Sequence, residues 1–586
     1  MIKQLRFLAM AMLLWIPSVT KAQVFEVGGI TYNVLSQAEQ TAEVAPSCSR
    51  YRGNINIPSV VTHDGITYDV VALGEMAFYG CTLSSVSIPS SVTKIKYGCF
   101  LFANGPATIT LPSSVKDIDV IALAANNLTA IAVDENNPYF MSIDGMLFSK
   151  DTATLVACPS SKRGVITLPQ STRHIAPLAF AYCQNITAVP LPEGLSSIGY
   201  WAFVSNTNLN NVVIPASVVH IGYSPFTACS SLDNLTLSEG NTHYYMDGML
   251  IYSAGGDSLL SAHKSSDSLT LPSTLRYVNG FGGNSNIKYV RLPDSATTIG
   301  KEAFNSSSLK SIDLPSQMRL IDEYAFYFCE SLTHVSMPAT LNTMGDGVFE
   351  ECSNLTSIAI PNGLRVIPQS AFYFCESLSQ ITWGDAVAVI DSFAFGGCAF
   401  SELQLPSTLH SVRTGAFEGY YNGVLRRVVF TAPVDTIELE AFTSNPLTML
   451  RFKNTVPPVT TEPQYGCLYM TDVDSIVVPC GSLDAWLNDQ YWGQFADKYY
   501  EDCNGIADTP EMAIAVYPNP ASTRLTIGGV DGKGMAELVN AAGQTVLSRP
   551  INGTPSEIDV STLPRGHYFL RLHTSNSIVT HKVILN

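Results

Sequence analysis

The side chains of this chain best suited to covalent or metal chemistry are its 13 cysteines and 10 histidines, and their spacing decides what they can do. The histidines are scattered, and no HExxH or similar pairing sets two imidazoles where one zinc ion could be held. Neither a Gly-rich phosphate loop nor a GxSxG elbow is present. Seven cysteines, Cys81, Cys183, Cys229, Cys329, Cys352, Cys375 and Cys398, share one position, three residues after a Phe. A thiol that recurs at a fixed place in a repeated pattern reads as a small buried hydrophobe, inert once packed, rather than as a nucleophile served by a histidine. Asp134, Glu135 and Asp144 could suggest calcium, but their spacing departs from an EF-hand loop and fits a solvated turn. The expectation is a protein that binds rather than catalyses, with no catalytic residue, no metal and no cofactor.

The elements that must position these cysteines are repeated. An apolar-x-apolar-Pro unit recurs at Pro89, Pro112, Pro169, Pro192, Pro215, Pro272, Pro293, Pro315, Pro338, Pro361 and Pro406, mostly at intervals of 21 to 23 residues, and Gly384 fills the Pro place between the last two. Such a period lies in the leucine-rich-repeat range, with one strand and one returning segment per repeat. Before Pro361, strand alternation turns Leu355, Ile358 and Ile360 inward and Ser357 and Ala359 outward. Pro361 then ends the strand because it has no N–H to donate. No repeat buries its own apolar face, so stacking makes the core and the ends need caps. Repeats are read over residues 71–477, with caps at 23–70 and 478–505.

Two intervals are longer, each of 57 residues, from Pro112 to Pro169 and from Pro215 to Pro272. Each holds an Asp-Gly pair 32 residues after its first Pro, Asp144-Gly145 and Asp247-Gly248. The segments VDENNPYFMSIDGMLFS and LSEGNTHYYMDGMLIYS therefore read as copies within a larger unit of 103 residues, each expected to form a β-hairpin projecting from the array. Beyond a linker at 506–511 the pattern changes to apolar alternation broken by Gly, Pro and Asn turns, which indicates a small all-β sandwich over 512–586. The fold class is thus a repeat solenoid, leucine-rich-repeat-like with a parallel β-sheet on one face and two hairpin inserts, followed by that sandwich.

Export is written at the start. Lys3 and Arg6 precede an apolar run from Phe7 to Ile16, and Thr20, Lys21 and Ala22 form a small-residue cleavage site, so residues 1–22 read as a signal peptide. The run is shorter than the roughly 20 residues needed to cross a bilayer, and no transmembrane span is expected in the mature chain. With 32 Lys and Arg against 49 Asp and Glu, a net charge of −17 repels phosphate backbones and excludes nucleic acid as a partner. An exported location permits bridges among the six remaining cysteines, Cys48, Cys99, Cys158, Cys467, Cys480 and Cys503, of which Cys480 with Cys503 is the first pair to test.

The Ala-Phe pair, the following Cys and the Leu-x-x-Ile-x-Leu-Pro pattern resemble the BspA-like leucine-rich repeats, as do ITYNVL and GITYDVVALGEMAFYGC near the start. The resemblance covers roughly residues 24 to 505 and implies a surface adhesin or interaction protein whose partners are extracellular proteins of a host matrix or of other bacteria. A surface module capturing glycans or peptides is the alternative. Tyr517, Pro518, Asn519 and Pro520, Gly543, Leu563, Pro564, Gly566 and Tyr568, and the terminal Lys582 resemble the type A sorting domain of the type IX secretion system. That resemblance implies the type IX export machinery as a partner and a secreted or outer-membrane-surface location in a Gram-negative bacterium. Asp-Ser or Asp-Thr pairs at Asp151, Asp257, Asp267, Asp435 and Asp474 resemble the O-glycosylation signal of bacteria using that route.

If the strands line a concave sheet, the outward residue between the two apolar positions of each repeat forms the candidate binding face. The row includes Ser87, Thr110, Thr167, Thr270, Arg291, Asp313, Ser336, Ala359, Thr382 and Gln404. It is hydroxyl-rich and nearly neutral, without a basic stripe or an aromatic platform, and suits an extended polypeptide.

Overall fold

The computed structural model describes residues 23–47, 51–263, 267–420, 423–461, 465–503, 515–517, 523–528, 533–540, 544–552, 556–574 and 578–585. The signal peptide read over 1–22, and Cys48, lie outside the described residues. Residues up to Glu501 form one unit and those from Asp502 a second.

Each repeat contributes a rung with three stacked surfaces. Its apolar-x-apolar segment is a short strand paired in parallel with the next, as Ser357–Ala359 pairs with Gln380–Thr382 and Thr108–Leu111 with Ala130–Val133. After the Pro turn comes a second parallel ladder of two-residue strands, such as Val366–Ile367, Val389–Ile390, Ser411–Val412 and Thr436–Ile437. The second residue of each, Ile367, Ile390, Val412 and Ile437, is fully buried. One strand per repeat is therefore an incomplete reading, because two residues are too few for alternation to register in a sequence.

The third surface is the returning segment around the Ala-Phe pair, which is neither helix nor strand. The residues two before and two after the Phe take left-handed backbone: Tyr324 (φ 55°) and Phe328 (56°) flank Phe326, and Ser370 (52°) and Phe374 (53°) flank Phe372. Non-glycine residues there cost on the order of 1 kcal/mol each. Hydrogen bonding offsets that cost. Alternate amides donate to the next rung, Phe326 N–H to Val348 O and Phe328 N–H to Glu350 O, both at 2.8 Å. The amides between them close tight turns within the rung, Tyr327 N–H to Tyr324 O at 3.0 Å and Cys329 N–H to Phe326 O at 3.2 Å.

The Phe rings themselves form a continuous stack. Phe281, Phe304, Phe326, Phe349, Phe372, Phe395, Phe417 and Phe442 lie face to face with centroids 4.8 to 5.5 Å apart and planes within 12°. Three residues on, the thiol donates backwards. Cys329 Sγ reaches Phe304 O at 3.0 Å, Cys352 reaches Phe326 O at 3.1 Å, Cys375 reaches Phe349 O at 3.1 Å and Cys398 reaches Phe372 O at 3.2 Å. Where Asn replaces Cys the bond persists, from Asn206 to Phe180 O at 2.8 Å and from Asn445 to Phe417 O at 2.7 Å. The Phe-x-x-Cys spacing thus encodes a second donor for a buried carbonyl that already accepts one backbone amide, as Phe326 O does from Cys329 N–H. Cys81, Cys99, Cys158, Cys183, Cys229, Cys329, Cys352, Cys375, Cys398 and Cys467 are all unbridged, and burial pushes the thiols of Cys329 up to about 11 and of Cys229 and Cys467 up to about 12.

The two inserts do not project, which corrects the sequence reading. Each is a three-stranded antiparallel meander, Phe140–Ile143, Met146–Ser149 and Thr154–Ala157 in the first, Tyr244–Asp247, Leu250–Ser253 and Ser258–Ala262 in the second, whose last strand joins the second parallel ladder. The middle strand lies across the core. Leu147 packs into the preceding block of repeats while Met146 and Phe148 pack into the following one. Ile251 faces back and Leu250 and Tyr252 face forward in the same way. The N-terminal cap is a third copy: Val24–Val27, Ile30–Ser36 and Thr41–Val44 form the same meander and lead into the same ladder through Ile66–Leu73. There the residue in the place of Leu147 and Ile251 is Thr31, half-buried and polar. At the other end Trp486 and Trp492 close the stack over Phe452, with ring centroids 4.9 and 5.4 Å away, and both indoles donate to backbone carbonyls.

Glu350 sits on the returning surface with its side chain buried beside Gly347. Burial, reinforced by the charge of Glu351, pushes its carboxyl up to about 8. Below the unfolded value of 4.5 both states hold the proton and stability is full; above it the unfolded chain ionises first, and stability falls as pH rises toward 8.

Three outcomes follow from this packing. Phe349→Ala, in the middle of the stack, lowers stability by about 3 to 5 kcal/mol, read as a fall in the urea midpoint with amide-exchange protection lost first in the flanking rungs. Alkylation with iodoacetamide at pH 8 leaves the ten unbridged thiols unmodified in the folded chain and modifies them all in urea. Glu350→Gln raises the melting temperature at pH 8 and leaves it unchanged at pH 4, so the decline of stability with pH becomes shallower.

Candidate binding face and C-terminal unit

Strand alternation leaves two outward rows on the first ladder. Thr270, Arg291, Asp313, Ser336, Thr382 and Gln404 are all exposed, and the register aligns Thr270 with Arg291, Asp313 with Ser336 and Ala359 with Thr382. A second row stands two residues earlier, of which the sequence reading turned only Ser357 outward: Ser268, Tyr289, Ser311, His334, then Ser357 and Gln380, then Glu402, Arg427 and Met449. The signal was available, since the residues on both sides of the buried central position point the same way.

The second row changes the chemistry of the face. Tyr289 is 49% exposed and neighbours Arg291 on its strand. His334 Nε2 lies 3.8 Å from Asp313 Oδ1, and an Arg427 guanidinium nitrogen forms an ion pair with Glu402 Oε1 at 3.7 Å, so polar contacts cross from row to row or rung to rung. Exposed pairs at such distances contribute little to folding and leave their charges open to a partner. In the middle block the same face carries amides, with Asn234 donating to Asn211 Oδ1 at 2.7 Å.

Other residues singled out by type have structural duties. Asp134 accepts the Asn136 amide at 2.9 Å and Asp144 pairs with Lys162 at 2.8 Å. In both inserts an Asp fastens the turn between the second and third strands: Asp151 accepts from Ser149 Oγ and the Ala153 amide, and Asp257 from Ser253 Oγ and Ser258 Oγ, which holds both carboxyls below their ordinary range. Cys480 and Cys503 are joined by a disulfide at the ends of the two last strands of the array, Ile476–Pro479 and Tyr499–Asp502. Glu501 lies beside them and accepts the Gly481 amide at 2.8 Å; with both sulfurs bridged, the trio offers no thiolate to a metal ion.

The C-terminal unit pairs a three-stranded antiparallel sheet with a four-stranded one around Leu525, Ile527, Leu538, Ile558, Leu570, Leu572 and Val583. Tyr568, 6% exposed, donates its hydroxyl to Pro564 O at 2.7 Å, which explains the Leu563-Pro564-x-Gly566-x-Tyr568 spacing: the ring fills the core while its oxygen ties down the preceding turn. Tyr517 ends the strand Ala515–Tyr517, and Lys582 lies in Ile578–Leu585 opposite Phe569. Pro518, Asn519, Pro520 and Gly543 lie outside the described residues. Among the described residues no helix is long and apolar enough to cross a membrane.

The family model described as "BspA type Leucine rich repeat region" matches residues 53–163, 157–250, 256–376 and 343–471, and that of the "Secretion system C-terminal sorting domain" matches residues 515–586. No curated protein matches the chain. Among solved structures, a leucine-rich repeat protein from Eubacterium ventriosum is 19% identical over 68% of this chain and 95% of its own, with a TM-score of 0.40. A leucine-rich repeat protein from Bacteroides ovatus is 21% identical over 81% and 99%, with a TM-score of 0.35. A leucine-rich cell surface protein from Faecalibacterium prausnitzii is 21% identical over 69% and 94%, with a TM-score of 0.32. The repeat matches span most of the stacked array and the tail match spans the sandwich, so the chain belongs to the BspA-type leucine-rich-repeat family, as a secreted or surface-borne, non-catalytic member bearing a C-terminal sorting domain.

Proposed function

We propose that this chain is an adhesin that holds extracellular proteins of a host matrix or of other bacteria against the cell surface through the two outward rows of its first ladder. The observation that carries this reading is the concentration of Tyr289, Arg291, Asp313 and His334 on adjacent rungs of a face otherwise made of small hydroxyl and amide side chains. Tyrosine and arginine dominate the energetic centres of protein interfaces, and a flat row of alternating donors and acceptors suits an extended polypeptide. Type IX export, with the C-terminal sandwich as address, would place that face outside the cell.

The test offers immobilised matrix proteins and whole bacterial cells to the purified chain. The double variant Tyr289→Ala, Arg291→Ala weakens capture by about tenfold or more while the melting temperature stays put, because both side chains lie on the solvent side of the sheet. Capture that is unaffected by this change moves the contact off the ladder face, and capture of none of these partners favours the nutrient-binding alternative.

A further inference from the structure

The internal duplication supplies its own control. At the first insert, the seam between the blocks is filled: Phe102 meets Tyr182 edge to face at 5.2 Å, Leu178, Ala181 and Val204 pack against Tyr182, and the cavity beside them, lined by Leu123, Cys158 and Ala181, holds about 70 Å³. At the second insert the same elements meet, and about 340 Å³ stands open. Alignment of the two seams shows why. Ser205 occupies the place of Phe102 and Gly283 that of Tyr182; Ala181 has become Gly282, and Pro177-Leu178-Ala179 is shortened to Gly280. The backbone is kept, with left-handed φ of 58° at Phe102 and 59° at Ser205, and of 62° at Tyr182 and 65° at Gly283. Two aromatic rings have been deleted from a seam that did not collapse.

The side chains around the opening are of one chemical kind. Trp201, Tyr182 and Phe226 give aromatic surface and Val204 an aliphatic one, and the rest of the described lining is Ser, Thr, Asn, Gly, Ala, Cys and a single His, with no Asp, Glu, Lys or Arg. Ser205, Ser285, Asn286 and Ser308 line it, and among the described residues no side-chain hydrogen bond uses their side-chain polar atoms. Ser230, Ser285 and Asn286 are exposed at the mouth, whereas Phe226, Ala262 and Asn284 are buried at the base. The backbone around the base is pinned, since the Thr227 hydroxyl lies between Ser224 O and Gly282 O, 3.0 Å from each, and shares its one proton with them.

A cavity of this size falls at the small end of ligand sites, about 300 to 1,000 Å³. Uncharged donors and acceptors beside indole and phenol rings match a ligand with many hydroxyls and apolar ring faces, and do not compensate a formal charge. We infer that the seam at the second insert is a binding site for a neutral mono- or disaccharide, separate from the ladder face. It would let the same surface protein take hold of a glycan as well as a polypeptide.

The experiment titrates the purified full-length chain with glucose, galactose, N-acetylglucosamine, maltose, cellobiose and lactose, followed by saturation-transfer NMR and calorimetry, with glucuronate and glucosamine as charged counterparts. At least one neutral sugar binds, the charged ones bind more weakly, and Ser205→Phe, which restores the residue of the filled seam on a backbone that already carries Phe at the matching place, reduces the affinity by about tenfold or more. Should Ser205→Phe fail to fold by circular dichroism, Asn286→Ala with Ser308→Ala serves instead and lowers affinity without filling the space. The inference is overturned if no neutral sugar binds at millimolar concentration, if a charged sugar binds best, or if binding survives both variants. None of these outcomes depends on whether the ladder face captures protein.

Discussion

A rung of some two dozen residues has no inside. Its Phe, Leu and Ile side chains point toward the axis of the stack, where only the rungs above and below can shield them, and its strands have no partners of their own. Every other feature answers to that constraint. The Phe rings repeat at 4.8 to 5.5 Å because that is the spacing at which the backbone ladders on either side are satisfied. The returning segment accepts left-handed backbone at non-glycine residues because this is how a chain that must turn repeatedly can still send every second amide to the next rung. A thiol or amide three residues after most of these Phe residues completes the account by giving the Phe carbonyl of the preceding rung a further donor.

The same constraint explains the ends and the interruptions. A stack cannot stop on an open rung, and this chain starts each of its three blocks with one device, a meander whose middle strand lies flat across the core. At the start of the array the matching side chain of that strand is Thr31; in the interior it is Leu147 or Ile251, so that the lid of one block becomes the floor of the next. The C-terminal end uses other means, two buried tryptophans and a disulfide. Because the interior lids merely interrupt the Phe stack, they create seams, and seams are where a repeat protein can differ from itself without cost to its rungs.

Function in such a molecule separates by surface. The Phe and Cys positions are committed to the core, and burial holds these thiols in their neutral, unreactive form. The ladder face carries its side chains on the solvent side of the sheet, and there the chemistry grows richer from Ser, Thr and Asn toward Tyr289, Arg291, Asp313 and His334. The C-terminal unit has a core of its own, so it can serve as an address without reference to the array.

The repeats, the inward and outward faces of their strands, the buried thiols, the longer unit of 103 residues and the terminal sandwich were all legible in the chain, because each rests on a local period or a short motif read against side-chain polarity. The bridge between Cys480 and Cys503 could be ranked among pairs but not chosen, since connectivity depends on where two strand ends come to lie. The second ladder escaped because its strands are two residues long, and the inserts were misjudged because a hairpin apolar on both sides looks in sequence like one that needs a partner elsewhere, when here its partners are the blocks before and after it. Only the tertiary structure could reveal the cavity at the second seam. A missing ring leaves no mark in a pattern of polarity, and whether its absence is closed by collapse or left open depends on how rigidly the neighbouring rungs are already held.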